Sequence, residues 1–254
     1  MPVEVINGRK VHVQVLGAGP SVVMLHGMMV GSISTWYFAV APALATDYRV
    51  LMYDLRGHGM SEFAKSGYGM HTLAADLADV VDSRVDDGPF ALVGHSYGAV
   101  VALRYALDHP GKVRRLVLVE PPLPVISAEW VEAFRSQSVE GILSALPPLL
   151  QAGLKKLGKR SLVLGAKLLR LSTQTTMKDD MMAEPDIADV ELSTLTCPVL
   201  LCSGTRSHPV FAAASARLML LLPDVRLVNI EGGHYLPEEA PAPLAHAIRA
   251  FLAD

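Results

Sequence analysis

Polar and apolar residues alternate one by one through Lys10-Val-His-Val-Gln-Val15, the period of a strand with one face buried. Ser21-Val-Val-Met-Leu25 is instead continuously apolar and runs into His26-Gly27, as a strand buried on both faces does. Further short apolar runs occupy 50–53, 90–93, 113–119, 199–202 and 225–230. Between them the spacing predicts helices over 34–46, 70–85, 97–108, 211–222 and 237–252. Strands that alternate with helices predict a mostly parallel sheet flanked by helices, an α/β fold.

One segment departs from this rhythm. Residues 121–190 show leucine-rich helical spacing without a strand, broken at Pro147-Pro148, Gly153, Gly158 and Pro185. A helical insertion there would lie over the carboxyl ends of the strands, where ligands bind in such sheets. The expected organisation is a core of 1–120 and 191–254 with a helical lid at 121–190. The plainer alternative is a set of ordinary surface helices.

At 254 residues, 51% hydrophobic and 19% charged, the chain suits a single globular domain with a modest insertion. Its formal net charge of −3 gives no general attraction to nucleic acid or acidic membranes, so a small-molecule partner is expected. Cys197 and Cys202 fall on one expected strand at odd spacing, which points their side chains to opposite faces and excludes a bridge between them. The first residues lack the order of a signal peptide and alternate like a strand, and apolar stretches stop short of a membrane span. A cytoplasmic protein is expected. Lys155, Lys156, Lys159, Arg160, Lys167 and Arg170 make the expected lid basic; they read as a solvated helix face or, alternatively, as a docking surface for an acidic carrier protein, coenzyme A or an anionic headgroup.

The chemistry concentrates at strand ends. Gly94-His95-Ser96-Tyr97-Gly98 fits G-x-S-x-G and lies between an expected strand and an expected helix. In that context the serine occupies a sharp corner that projects its hydroxyl, and the flanking glycines let neighbouring backbone approach. An acyl-transfer site also needs N–H donors for the oxyanion, supplied from two loops. The candidates are the backbone N–H of Met28, after His26-Gly27, and that of Tyr97. Near the end, His234 in Glu231-Gly-Gly-His-Tyr235 sits in a glycine-flanked loop, and histidine is the side chain suited to general base work near neutrality. His95 reads as filler of the serine motif.

Taken together, HGMMVG after strand three, YDLRGHGMS (53–61) after strand four, GHSYG after strand five and GGHYLPEEAP at the last loop resemble the α/β-hydrolase family in order and spacing. The resemblance spans essentially the whole chain and implies that fold, with the lid inserted after strand six. It also implies a triad acid, which most members carry after strand seven in a G-x-x-D-like pattern. Here Gly204 plus three is Ser207, followed by His208, and neither is a permanent anion.

Adjacent strand ends lie only about 4.8 Å apart, so an acid on a neighbouring strand can serve the same imidazole. Glu120 follows the run 113–119, next to the serine strand. Some family members, certain haloalkane dehalogenases and zearalenone-type lactone hydrolases among them, place the acid after strand six. The order Ser96, Glu120, His234 agrees with the fold's order of nucleophile, acid and histidine. The alternative for Glu120 is a helix-capping or lid-anchoring role.

The expected activity is cofactor-independent hydrolysis of a carboxylic ester, lactone or thioester, with no metal. Serine at the nucleophile position argues against epoxide and haloalkane hydrolysis, which use a carboxylate there in this family. Met29, Trp130, Phe134, Met181 and Met182 are candidates for an apolar substrate pocket, though core packing accounts for each nearly as well. Two alternatives stay open: a carbon–carbon bond hydrolase or cofactor-free dioxygenase of the same fold, and a non-catalytic ligand receptor.

Overall fold

A computed structural model describes residues 3–86, 88–123 and 159–254. Eight strands form one sheet: β1 Val3–Ile6, β2 Arg9–Leu16, β3 Ser21–Leu25, β4 Arg49–Tyr53, β5 Phe90–His95, β6 Val113–Val119, β7 Val199–Gly204 and β8 Val225–Ile230. Their order is β1-β2-β4-β3-β5-β6-β7-β8. Pairing is antiparallel from β1 through β2 to β4 and parallel thereafter. The alternation at the start of the chain thus belongs to two strands rather than one. Asn7-Gly8, with φ of 46° and 77°, turns the chain back on itself as an Asn-Gly hairpin does.

The helices divide between the two faces of the sheet. On one face lie α3 (Met70–Arg84) and α4 (Tyr97–Asp108), on the other α1 (Ser34–Tyr37) and α2 (Val40–Leu44). The inner strands β3, β4 and β5 are almost continuously buried because each supplies both faces. Val23, Leu25, Leu92 and Leu118 join the first hydrophobic cluster, whereas Val22, Met24, Val93 and Val119 join the second.

Two expected helices are interrupted by proline. The pattern over 34–46 divides at Phe38-Ala39, because Pro42 lacks an N–H and its ring excludes the carbonyl four residues earlier, that of Phe38. The pattern over 237–252 divides at Ala240, where Pro241 opens a new helix. After β6 the described helices are α5 (Lys159–Gln174), α6 (Met177–Ala183), α7 (Asp189–Leu192), α8 (Pro209–Leu221), α9 (Leu236–Glu239) and α10 (Pro241–Ala253). Cys197 precedes β7 instead of lying on it, since Pro198 cannot donate to the ladder; both cysteines are buried and free, one in each hydrophobic cluster.

Of the segment expected to form a lid, residues 124–158 lie outside the described residues, and with them Trp130, Phe134, Lys155 and Lys156. The part that is described is tied to the loop after β4. Asp180 accepts the backbone N–H groups of Gly67 and Tyr68 at 2.7 and 2.9 Å. Leu171, Met177 and Met181 are buried with the first cluster. Lys167 donates to the carbonyl of Gly59 at 2.9 Å, and the Arg170 guanidinium lies 3.7 Å over the Phe63 ring. Among the described residues no helix is long and apolar enough to cross a membrane.

Candidate active site

Strand β5 lies where the chain, having run outward from β3 to β4, crosses back to build the other half of the sheet, so loops leaving β3 and β5 part company there. Ser96 is the first residue beyond β5. Its φ of 54° and ψ of −130° fall in a region that a serine seldom occupies, at a cost of about 1–3 kcal/mol. The surroundings impose that corner: the Ser96 N–H extends the β5–β6 ladder to the carbonyl of Val119 at 2.9 Å, and the next residue already opens α4. Two glycines permit the close packing. A Cβ at Gly98 would stand 2.4 Å from the carbonyl oxygen of His26, and one at Gly27 would stand 2.9 Å from Ser96 Cβ.

The structure brings Ser96, His234 and Glu120 together. His234 Nε2 is 3.0 Å from Ser96 Oγ, and its Nδ1 is 3.3 Å from Glu120 Oε2. Glu120 is fully buried and has a positive φ of 53°, which turns its side chain off the end of β6 toward the imidazole. Its backbone N–H continues the ladder to Cys202 O at 2.9 Å, and its Oε1 accepts the N–H of Gly204 at 2.6 Å. The last residue of β7, just before the loop where the resemblance puts the acid, therefore contributes a backbone donor to a carboxylate just beyond the neighbouring strand. Burial and the Glu120 charge push the nearby Cys202 thiol up to about 12.

Three residues that sequence reasoning had not given a role hold the histidine. The Nε2–H of His95 donates to the His234 carbonyl at 2.8 Å, and the His95 ring meets Trp36 edge-on at 6.2 Å between centroids. Burial, with His234 beside it, lowers the His95 pKa to about 3, so the ring is neutral. Phe211, on α8, stacks on the His234 imidazole with centroids 4.1 Å apart and planes 19° from parallel. Glu239 accepts the N–H of Gly233 at 2.9 Å and fixes the backbone just before His234. His95 and Phe211 have no local signature, because each depends on which loops meet in space, whereas Glu239 acts only six residues beyond Gly233. The helix α8 is itself foreseeable, from Pro209 at its first position and His208 capping Val210 N–H at 3.3 Å.

The oxyanion candidates are also near the serine. Met28 lines a narrow cavity of about 30 Å³ together with Gly27, Ser96, His95, His234 and Glu238. Tyr97 opens α4, so its N–H belongs to the first turn, where helical N–H groups lack intrahelical partners and the helix dipole favours negative charge. His26 fixes the loop that carries Met28: its Nε2 accepts the Leu55 N–H at 3.0 Å, which leaves the proton on Nδ1 to donate to Gly27 O at 2.7 Å. Burial lowers the His26 pKa, consistent with a neutral ring. Asp54 braces the same loop by accepting from Ile33 N at 2.7 Å, Met60 N at 2.8 Å and His12 Nδ1 at 2.6 Å.

Of the apolar pocket candidates, Met181 is buried in the first cluster, Met29 packs against that cluster, and Met182 is half-buried; among the described residues none lines the cavity at Ser96. A larger cavity of about 370 Å³ lies elsewhere, between Arg9, Arg56, Glu62 and Asp76. Arg9 and Arg56 both pair with Asp76 there, Arg56 forked onto it by two 2.6 Å bonds. Among the described residues no three His, Cys, Asp or Glu side chains are grouped as a metal ion would require.

Comparison with known proteins bears on the fold. A family described as alpha/beta hydrolase fold matches residues 20–144. The chain is 28% identical to 2-(acetamidomethylene)succinate hydrolase of Mesorhizobium japonicum, over 93% of this chain and 89% of that one. It is 30% identical to the magnesium-chelatase 30 kDa subunit of Rhodobacter capsulatus, over 92% and 87% of the two chains. Among solved structures, the enol-lactonase of Burkholderia xenovorans superimposes with a TM-score of 0.77 at 20% identity and covers 100% of both chains.

Proposed function

Since the chain belongs to the α/β-hydrolase fold family, we propose that it is a serine hydrolase that cleaves a carboxylic ester, lactone or thioester through an acyl-enzyme on Ser96. The observation that carries this reading is the continuous relay from Ser96 Oγ through His234 to Glu120. In the reaction His234 Nε2 takes the Ser96 proton as Oγ attacks the acyl carbonyl. The resulting oxyanion is held by the N–H groups of Met28 and Tyr97. Glu120 accepts from Nδ1–H and stabilises the imidazolium. His234 then returns the proton to the departing alcohol or thiol, and a water activated in the same way releases the acid.

The relatives support hydrolysis as the reaction type. One is a hydrolase of 2-(acetamidomethylene)succinate by name, and the structural neighbour is an enol-lactonase by name. The test is labelling by a fluorophosphonate together with turnover of a panel of esters, lactones and thioesters. Labelling at Ser96, and loss of both label and turnover in Ser96→Ala, is the expected result. Activity that survives Ser96→Ala would instead indicate chemistry that uses His234 and Glu120 without a serine nucleophile.

A further inference from the structure

Consecutive glutamates on α9 have opposite surroundings. Glu239 accepts the Gly233 N–H and faces the Arg206 guanidinium at 3.6 Å. Glu238 lines the cavity at Ser96, and among the described residues no lysine or arginine lines that cavity. Thr35 lines the same cavity, and its hydroxyl acts on the Glu238 carboxyl in favour of the charged form. Its Oε2 is buried with no partner among the described residues. An orphaned carboxyl oxygen costs about 1–3 kcal/mol and returns nothing to the fold, so its place beside the nucleophile calls for a ligand group.

We propose that Glu238 is a specificity-determining residue that hydrogen-bonds an oxygen acceptor, an ether, hydroxyl or carbonyl oxygen, carried by the substrate close to its scissile carbonyl. The proposal rests on acyl transfer at Ser96. The titratable groups around this carboxyl are His95, His234, Tyr235 and Glu239. Burial, reinforced by the Glu239 charge, raises its pKa to about 7, so near neutrality much of the enzyme carries the acid form. That form carries an O–H, and Oε2 has no partner for it among the described residues. An oxygen on the substrate supplies the missing acceptor, whereas a methylene in the same position leaves the O–H unpaired.

The experiment compares isosteric ester pairs in which oxygen replaces one methylene. On the acyl side these are p-nitrophenyl methoxyacetate and p-nitrophenyl butanoate; on the alcohol side, 2-methoxyethyl butanoate and butyl butanoate. The readout is the ratio of kcat/KM within a pair, and dividing each variant's ratio by that of the wild type removes the esters' intrinsic reactivity. Glu238→Leu is expected to lower the ratio about tenfold for one pair, and Glu238→Gln, which keeps a donor, to retain it. The wild-type ratio should also fall as pH rises through about 7, while that of Glu238→Gln stays flat. Ionisation of the triad is common to both members of a pair and cancels. Ratios unaffected by Glu238→Leu and by pH in both pairs, with all the esters still hydrolysed, would overturn the role of Glu238 and leave the serine mechanism standing. Failure of the wild-type enzyme both to hydrolyse any of the esters and to take a fluorophosphonate label at Ser96 would overturn both.

Discussion

Glu120 Oε1 accepts the backbone N–H of Gly204 at 2.6 Å while Oε2 of the same carboxylate stands 3.3 Å from His234 Nδ1. One buried anion thereby joins the ends of β6 and β7 to the loop after β8. Both of its oxygens face donors, so an amide cannot replace it: whichever way a glutamine side chain turned there, its NH2 would meet an N–H. Glu120→Gln is expected to lower kcat by up to about four orders of magnitude, because the imidazole loses both its orientation and its counter-charge. Circular dichroism should show the fold retained, and steady-state kinetics with near-wild-type kcat would exclude Glu120 as the acid.

His95 acts on the reaction through the backbone of the histidine loop. Its Nε2–H holds the His234 carbonyl at 2.8 Å, and a ring of similar size without that donor leaves the carbonyl unpaired. His95→Phe should keep the edge-on packing with Trp36 and lower kcat about tenfold, with KM much less affected. His95→Gln, which can restore a donor, should recover most of the loss. Equal activity of all three proteins would reduce His95 to a packing residue.

The stacking of Phe211 on His234 shields one imidazole face from water. Charge pairing between an imidazolium and Glu120 weakens where water enters, because the local dielectric rises. Phe211→Ala is therefore expected to lower kcat about tenfold and to make the remaining activity more sensitive to salt. Kinetics across an ionic-strength series would show this, and a salt response identical to the wild type would contradict it.

How far the site could be read from sequence follows from how local each feature is. Ser96 needs only a glycine-flanked turn between a strand and a helix, so its corner was legible from a few residues. Glu120 was legible at longer range because parallel strands fix the spacing of their ends, and β5, β6 and β7 are neighbours. The hairpin at Asn7-Gly8 and the breaks at Pro42 and Pro241 had local signals that an uninterrupted periodicity concealed. By contrast, the His95 bond to a carbonyl 139 positions later and the stacking of Phe211 arise only when separate loops converge. Periodicity carries no information on such meetings.

Asp54 gives a prediction about stability. Its carboxylate takes the N–H groups of Ile33 and Met60 and the His12 ring in a buried position, and so binds the loop after β3 to the loop after β4. Asp54→Ala would strand these donors out of reach of water, at about 1–3 kcal/mol each before relaxation. A loss of about 3 kcal/mol in unfolding free energy is expected from urea titration. Catalysis should fall as well, since the same loop carries Met28. A loss within about 0.5 kcal/mol, the range of ordinary surface substitutions, would mean that water reaches the site and replaces the carboxylate.

Glu238 makes stability depend on pH in the direction opposite to a carboxylate held in an ion pair. Its pKa rises from 4.5 to about 7 because burial disfavours the charged form. Below about pH 4.5 the carboxyl is protonated in the folded and unfolded chains alike, and the group contributes no pH dependence. Between about 4.5 and about 7 the folded chain holds a proton that the unfolded chain has released, so stability declines as pH rises; above about 7 both states are ionised and the decline stops. Glu238→Gln cannot ionise and removes this contribution. The variant's Tm relative to the wild type should therefore climb by a few degrees across that window and level off above it, as read by thermal denaturation at a series of pH values. A difference in Tm that is constant with pH would show that the Glu238 carboxyl titrates as it does in water.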